Sequence, residues 1–222
     1  MPMYVPTAGA EDWRALLADP VLHWRDGYSA KMLAECWERS GGMPGEIRSL
    51  FESIAPDPKL LFAFPEHKVP LPGSARGESQ NDLFAFVRAG EETITVMIEG
   101  KVDESFDRTL DKWLKNASPG KLKRLGYLTE MLGLEADEIP GTIHYQLLHR
   151  TVSALIEAEN YKADAAAMVV HSFSPSAKWF DAYAAFGAML GIDAEPGKLQ
   201  RAKTKISRPL YLAWAKGAPA PR

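Results

Sequence analysis

Residues 82–102 read DLFAFVRAGEETITVMIEGKV, and this stretch decides the fold. Asp82–Arg88 is apolar and aromatic, a strand pattern. Ala89–Glu92 turns around Gly90, and Thr93–Val102 is a strongly β-branched strand. The two form an antiparallel hairpin. Side chains alternate between faces of a strand. Ile94, Val96, Ile98 and Val102 therefore share a buried face, and Thr95, Met97, Glu99 and Lys101 share the other. With the turn near Gly90-Glu91, Asp82 pairs with a residue near 99. Two adjacent carboxylates and a lysine are then expected on one face at one end of the hairpin. Gly100 leaves room for a backbone or ligand to approach.

Outward from the hairpin, the first ~55 residues read as helical. A short helix carries Trp13 behind Asp12. Ser29 caps a helix to Arg39, and Pro44 opens another with Ile47, Leu50, Phe51 and Ile54 at helical spacing. Leu60–Phe64 is a short strand, and Pro65–Gln80, rich in proline, glycine, serine and charge, a long loop. After the hairpin, helices are expected at Phe106–Lys115, Pro119–Leu132 and Thr142–Glu159. A core strand at Ala166–Phe173, a helix from Ser176 and an edge strand at Leu210–Trp214 follow. The class is α/β, a mixed sheet flanked by helices. One domain is expected over 1–222, with N-terminal helices at 1–55, the α/β core at 56–216 and a frayed tail at 217–222.

Composition narrows the function classes. A hydrophobic fraction of 46% supports a real core and argues against global disorder. No apolar run approaches the ~20 residues of a membrane span. The N-terminus lacks the basic start and apolar stretch of a signal peptide, so a cytoplasmic protein with no membrane partner is expected. Cys36 is the only cysteine; it rules out an intrachain disulfide, weighs against a cysteine-based zinc site and reads as buried and inert. The net charge of −3 argues against a protein that coats nucleic acid by charge alone. Two basic groups stand out: Lys112, Lys115, Lys121, Lys123 and Arg124, and a tail of Lys198, Arg201, Lys203, Lys205, Arg208, Lys216 and Arg222. Each reads either as a solvated face or as a phosphate-contacting surface. His144, His149 and His171 match no zinc spacing, although His171, ending the core strand, could support the site.

Neighbouring carboxylates repel unless a cation or proton lies between them. Hard oxygen ligands suit Mg²⁺, with Mn²⁺ as a substitute. Lys101 on the same face could orient a water and offset charge on a phosphate. Glu-x-Lys on a strand is also the pattern of an exposed cross-strand ion pair.

Asp82 in SQNDLFAF and Glu99-Gly100-Lys101 in TVMIEGKV resemble the motif of the PD-(D/E)xK nuclease superfamily, the restriction-endonuclease-like proteins. IEGKVDESFD, YQLLHRTVSALIEAE and AAMVVHSFS also look like an uncharacterised bacterial family assigned to it. The resemblance covers about residues 28–175. It implies an αβββαβ core and a metal-dependent hydrolase cutting phosphodiester bonds of nucleic acid, DNA ahead of RNA. Asp82, Glu99 and the Gly100 carbonyl would hold the metal. Lys101 would be the catalytic lysine and Gln146 a polar helix residue reaching the site, with Tyr145 and Arg150 behind it. Glu35 could match an acidic residue some members carry on an early helix, or simply face solvent. Asn81 stands where many members have proline. No DNA-reading module is visible. Such nucleases often act as homodimers, but nothing in the sequence locates an interface. The rival expectation is a catalytically inactive protein of the same fold that binds nucleic acid or a protein partner.

Overall fold

The computed structural model describes residues 7–73 and 77–218. A 3-10 turn at Ala10–Leu16 leads into α1 (Pro20–His23), α2 (Ser29–Arg39) and α3 (Gly45–Phe51). Then come β1 (Lys59–Pro70), β2 (Glu78–Ala89) and β3 (Glu92–Lys101). Helices α4 (Leu110–Leu114), α5 (Pro119–Leu132) and α6 (Tyr145–Asn160) follow, then β4 (Ala165–Ser172), α7 (Phe180–Met189), β5 (Leu199–Arg201) and β6 (Leu210–Lys216). Among the described residues the strands form one mixed sheet in the order β1-β2-β3-β4-β6-β5. β1, β2 and β3 are antiparallel, β4 runs parallel to both β3 and β6, and β5 is antiparallel to β6. The class is α/β.

The sheet separates two apolar layers. On one face Phe84, Met97, Met168 and Leu212 pack with Leu148, Val152 and Leu155 of α6. On the other, Ala85, Ile94, Val96, Ile98 and Val169 pack with Leu33 and Trp37 of α2 and Ile47, Leu50 and Phe51 of α3. Every residue of β4 is buried, as expected for a central parallel strand covered on both faces. Each fully buried aliphatic or aromatic side chain contributes about 1.5–3 kcal/mol.

β3 lies within one residue of its expected ends, β2 begins at Glu78 rather than at Asp82, and Leu83 opposite Ile98 puts Asp82 opposite Glu99 in the continued register. α5 has the expected ends: Pro119 occupies the first turn, and Gly133 closes it at φ 63°.

The long loop expected at Pro65–Gln80 is corrected. β1 runs on to Pro70 and β2 begins at Glu78, with Lys68 paired to Gln80 and Val69 to Ser79. Proline is tolerated because β1 is an edge strand, bonded only to β2. The ladder skips Glu66, which has φ 52°, between the Pro65–Leu83 and His67–Asn81 pairs. The helix expected at Phe106–Lys115 shrinks to five residues, and the last two helices begin at Tyr145 and Phe180 rather than at caps Thr142 and Ser176. The C-terminal strand is not an edge, because β5 covers its free side. Arg222 and the end of the expected frayed tail, 219–222, lie outside the described residues.

Candidate active site

Strand alternation sends Thr95, Met97, Glu99 and Lys101 to the α6 side, where Thr95 Oγ1 donates to the Ala154 carbonyl at 2.8 Å. Asp82 shares that side with Phe84, two residues on. Asp82, Glu99 and Lys101 line one cleft of about 480 Å³ together with Glu66, Gln80, Gln146 and Arg150. The opposite wall is Leu17–Ala30 of the N-terminal segment, through Leu17, Ala18, Leu22, His23, Tyr28, Ser29 and Ala30.

Glu99 is almost fully buried, and both its oxygens are engaged. Lys101 Nζ donates to Oε1 at 2.6 Å and Arg150 Nε to Oε2 at 2.7 Å. Burial favours the neutral acid, but these two cations overcome it and hold the Glu99 carboxyl below its ordinary range. Asp82 is less well matched. Its Oδ2 accepts the Gly100 N–H at 2.9 Å, and the Arg150 Nη2 lies 3.8 Å from Oδ1. Burial first, then the Glu99 charge, push its pKa up to about 7. Glu66, whose left-handed backbone interrupts β1, accepts from Gln80 Nε2 at 2.7 Å. Its pKa is pushed up to about 8, by burial first and the Asp82 charge second. Three carboxylates from three consecutive strands thus face two cations, Lys101 and Arg150. The deficit of positive charge falls on Asp82 and Glu66.

Arg150 is anchored from behind. Its Nη1 donates to Ser79 Oγ at 3.2 Å, and that hydroxyl lies 2.8 Å from His149 Nδ1. Burial, then the Arg150 charge, drive His149 well below the ordinary histidine range. Gln146, one helical turn before Arg150, lines the cleft with a buried Oε1 that has no hydrogen-bond partner.

The expected set therefore falls unevenly. Asp82, Glu99, Lys101 and Gln146 meet in the cleft. Gly100 contributes its N–H to Asp82 but is not among the lining residues. A Cβ at position 100 would lie 3.4 Å from Ser29 and Leu33 atoms of α2, so glycine admits the helix, not a ligand. Arg150, expected behind Gln146, touches Glu99 directly, whereas Tyr145 stacks on Trp113 at 4.0 Å between ring centroids. Glu35 lies outside the cleft, 3.8 Å from Lys31 on α2. Glu66 had no sequence signal beyond its charge. Among the described residues, no member of either basic group lines the cleft: Lys121 donates to the Trp113 carbonyl, Arg124 to that of Pro72 and Arg208 to that of Ala163.

His171 does not support this site, because it projects from the opposite face of β4. There it meets Cys36 and Glu46, with ligand-type atoms all within 4.8 Å of one another. The hydrogen bonding opposes a metal. Trp37 Nε1–H donates to His171 Nδ1 at 3.4 Å, so the proton resides on Nε2, which faces Glu46 Oε1 at 2.9 Å. A protonated ring nitrogen has no lone pair to coordinate, and metal-bound histidines as a rule donate, not accept, at the other nitrogen. Burial first, then the Glu46 charge, push the Cys36 thiol up to about 12, which keeps it protonated and unreactive.

A family model described as a domain of unknown function, DUF6946, matches residues 6–219. No curated protein and no solved structure matches the chain.

Proposed function

The chain belongs to the DUF6946 family, whose description assigns no activity, and we propose from the cleft itself that the protein is a Mg²⁺-dependent phosphodiesterase acting on nucleic acid, of the PD-(D/E)xK kind. One observation carries the proposal: Asp82, Glu99 and Lys101 converge on one face at one end of adjacent strands, inside a cleft. The order α3, β1, β2, β3, then α4 to α6, then β4, with α6 packed on the sheet, contains a helix, three strands, a helix and a strand and supports the same reading.

The residues fit a divalent cation. Asp82 is an under-compensated carboxylate, and the Gln146 Oε1 in the same cleft is an acceptor without a donor. A hard cation satisfies both. Asp82 and Glu99 would hold it, and once bound it would polarise a phosphodiester and lower the pKa of its water. Lys101 Nζ, released from Glu99, would orient the attacking water and offset charge on the phosphate. Of the Arg150 guanidinium, Nε and Nη1 are held by Glu99 and Ser79, which leaves Nη2, 3.8 Å from Asp82 Oδ1, to meet a phosphate.

The test is cleavage of a panel of DNA and RNA in Mg²⁺ or Mn²⁺. The expected result is cleavage that Lys101→Ala abolishes. No cleavage of any substrate, with no Mg²⁺ or Mn²⁺ binding, overturns the proposal. A second reading rests on a specific observation: Lys101 and Arg150 already saturate Glu99. A closed ion-pair network of that kind also suits an inactive protein that keeps the fold to bind nucleic acid or a partner.

A further inference from the structure

We propose, building on the phosphodiesterase reading, that the substrate is single-stranded nucleic acid, with one unpaired nucleotide lodged in the cleft and its base against Leu22 and Tyr28. Three features of the N-terminal wall carry this.

The first is size. A cavity of 480 Å³ is about 8 Å on a side. It lies within the ~300–1,000 Å³ of pockets that enclose small ligands. A base that is paired and stacked in a duplex enters a pocket of this size only after leaving the stack, at a cost of a few kcal/mol that an unpaired strand does not incur.

The second is composition. The two walls differ in kind. One carries Glu66, Asp82, Glu99, Lys101 and Arg150; the N-terminal one carries Leu17, Ala18, Leu22, Tyr28 and Ala30 with His23 and Ser29, and Glu104, Ser105 and Asp107 add to the lining. A nucleotide is divided in the same way, with a charged phosphate at one end and a flat apolar base at the other. Base stacking on an aromatic side chain needs an unpaired base and tolerates any sequence.

The third is exposure. Five large apolar side chains are exposed among the described residues, and two of them, Leu22 and Tyr28, line this wall. Packing does not explain leaving them in water, whereas a ligand surface does. The Arg25 guanidinium lies 5.8 Å from the Tyr28 ring centroid, adding a cation at the rim.

Glu104 also lines the cleft, with its oxygens taken by the Ser29 and Val102 N–H groups. The cleft is therefore acidic, and phosphate entry depends on the bound cation.

The experiment measures fluorescence anisotropy of a labelled single-stranded oligonucleotide and of its blunt duplex, with Ca²⁺ replacing Mg²⁺ to hold the phosphate without turnover. Ca²⁺ affinity is read separately by calorimetry. The single strand is expected to bind about tenfold tighter than the duplex, and Tyr28→Ala to weaken single-strand binding about tenfold, the scale of one lost stack. Leu22→Ser, at an exposed position, is expected to act in the same direction. Ca²⁺ affinity should be unchanged in both variants. Equal or tighter duplex binding, or single-strand binding that both substitutions leave unchanged, overturns the proposal. Cation binding without binding of either nucleic acid overturns it while leaving the metal site standing. Failure to bind even the cation overturns both.

Discussion

Replacing Asp82 with asparagine should stabilise the metal-free protein at pH 8. Folding raises the Asp82 pKa from 3.8 to about 7, so the folded state holds its proton where the unfolded chain has lost it. Between about pH 4 and pH 7 the folded state binds more protons, and stability falls as pH rises. A shift of about three units is worth about 4 kcal/mol at most. The side chain keeps 20% of its exposure, so solvent recovers part of this, and about 2–3 kcal/mol is the expected cost at pH 8. Asparagine keeps an acceptor for the Gly100 N–H and removes the charge. For a chain of this length, 2–3 kcal/mol is about 5–10 °C in Tm. The assay is thermal unfolding of both proteins from pH 5 to pH 8.5 in chelator. His171 and His149, whose burial lowers their pKa, add stability that is lost as pH falls below the unfolded value of 6.5. That contribution is common to both proteins and cancels in their difference. The Tm gap should open above pH 5 and reach its full size near pH 8. Saturating Mg²⁺ should close or invert it, because only the wild type offers the cation a carboxylate. A gap that is absent, constant with pH, or of opposite sign refutes the electrostatic account of the cleft.

Lys101→Ala should reduce phosphodiester cleavage by ~100-fold or more, the scale of losing one transition-state donor, in a steady-state assay with melting checked in parallel. Arg150→Met strands Glu99 and Asp82 with Lys101 alone, and should destabilise the metal-free protein by about 3 kcal/mol in urea titration, partly recovered by Mg²⁺. Any effect of Zn²⁺ on Tm should be the same in the wild type and in His171→Ala, because Trp37 keeps the proton on the His171 nitrogen that faces Glu46; a stabilisation abolished by His171→Ala would contradict that assignment. Gly133→Ala should cost several °C in Tm, since a Cβ there would lie 2.4 Å from the Lys205 carbonyl oxygen at a backbone φ of +63°.

What the sequence reveals here is what local periodicity encodes. Ile94, Val96 and Ile98 alternate with Thr95, Met97 and Glu99, so the hairpin, its faces and the Asp82–Glu99 register follow from counting residues. β1 was obscured because Pro65 and Pro70 imitate a loop; that they are tolerated depends on β1 being an edge, a property of the assembled sheet. Glu66 was hidden with it, since its place opposite Asp82 follows from the register of a strand that reads as a loop. Arg150 is far from Glu99 in the chain, and only the packing of α6 against β3 fixes which residue of its turn makes contact. The apolar wall from Leu17 to Tyr28 closes a cleft whose charged residues begin only at Glu66, far along the chain, and no local pattern signals that.

The account stands most directly on whether Asp82 and Glu99 together bind a divalent cation. Titration calorimetry of the metal-free wild-type protein with Mg²⁺, repeated with Asp82→Asn and with Glu99→Gln, measures this without requiring a substrate. Saturable binding that either substitution removes is the predicted result. No binding to the wild type, or binding that both variants retain, would contradict it and leave the ion-pair network of Lys101, Arg150 and Glu99 as a structural feature.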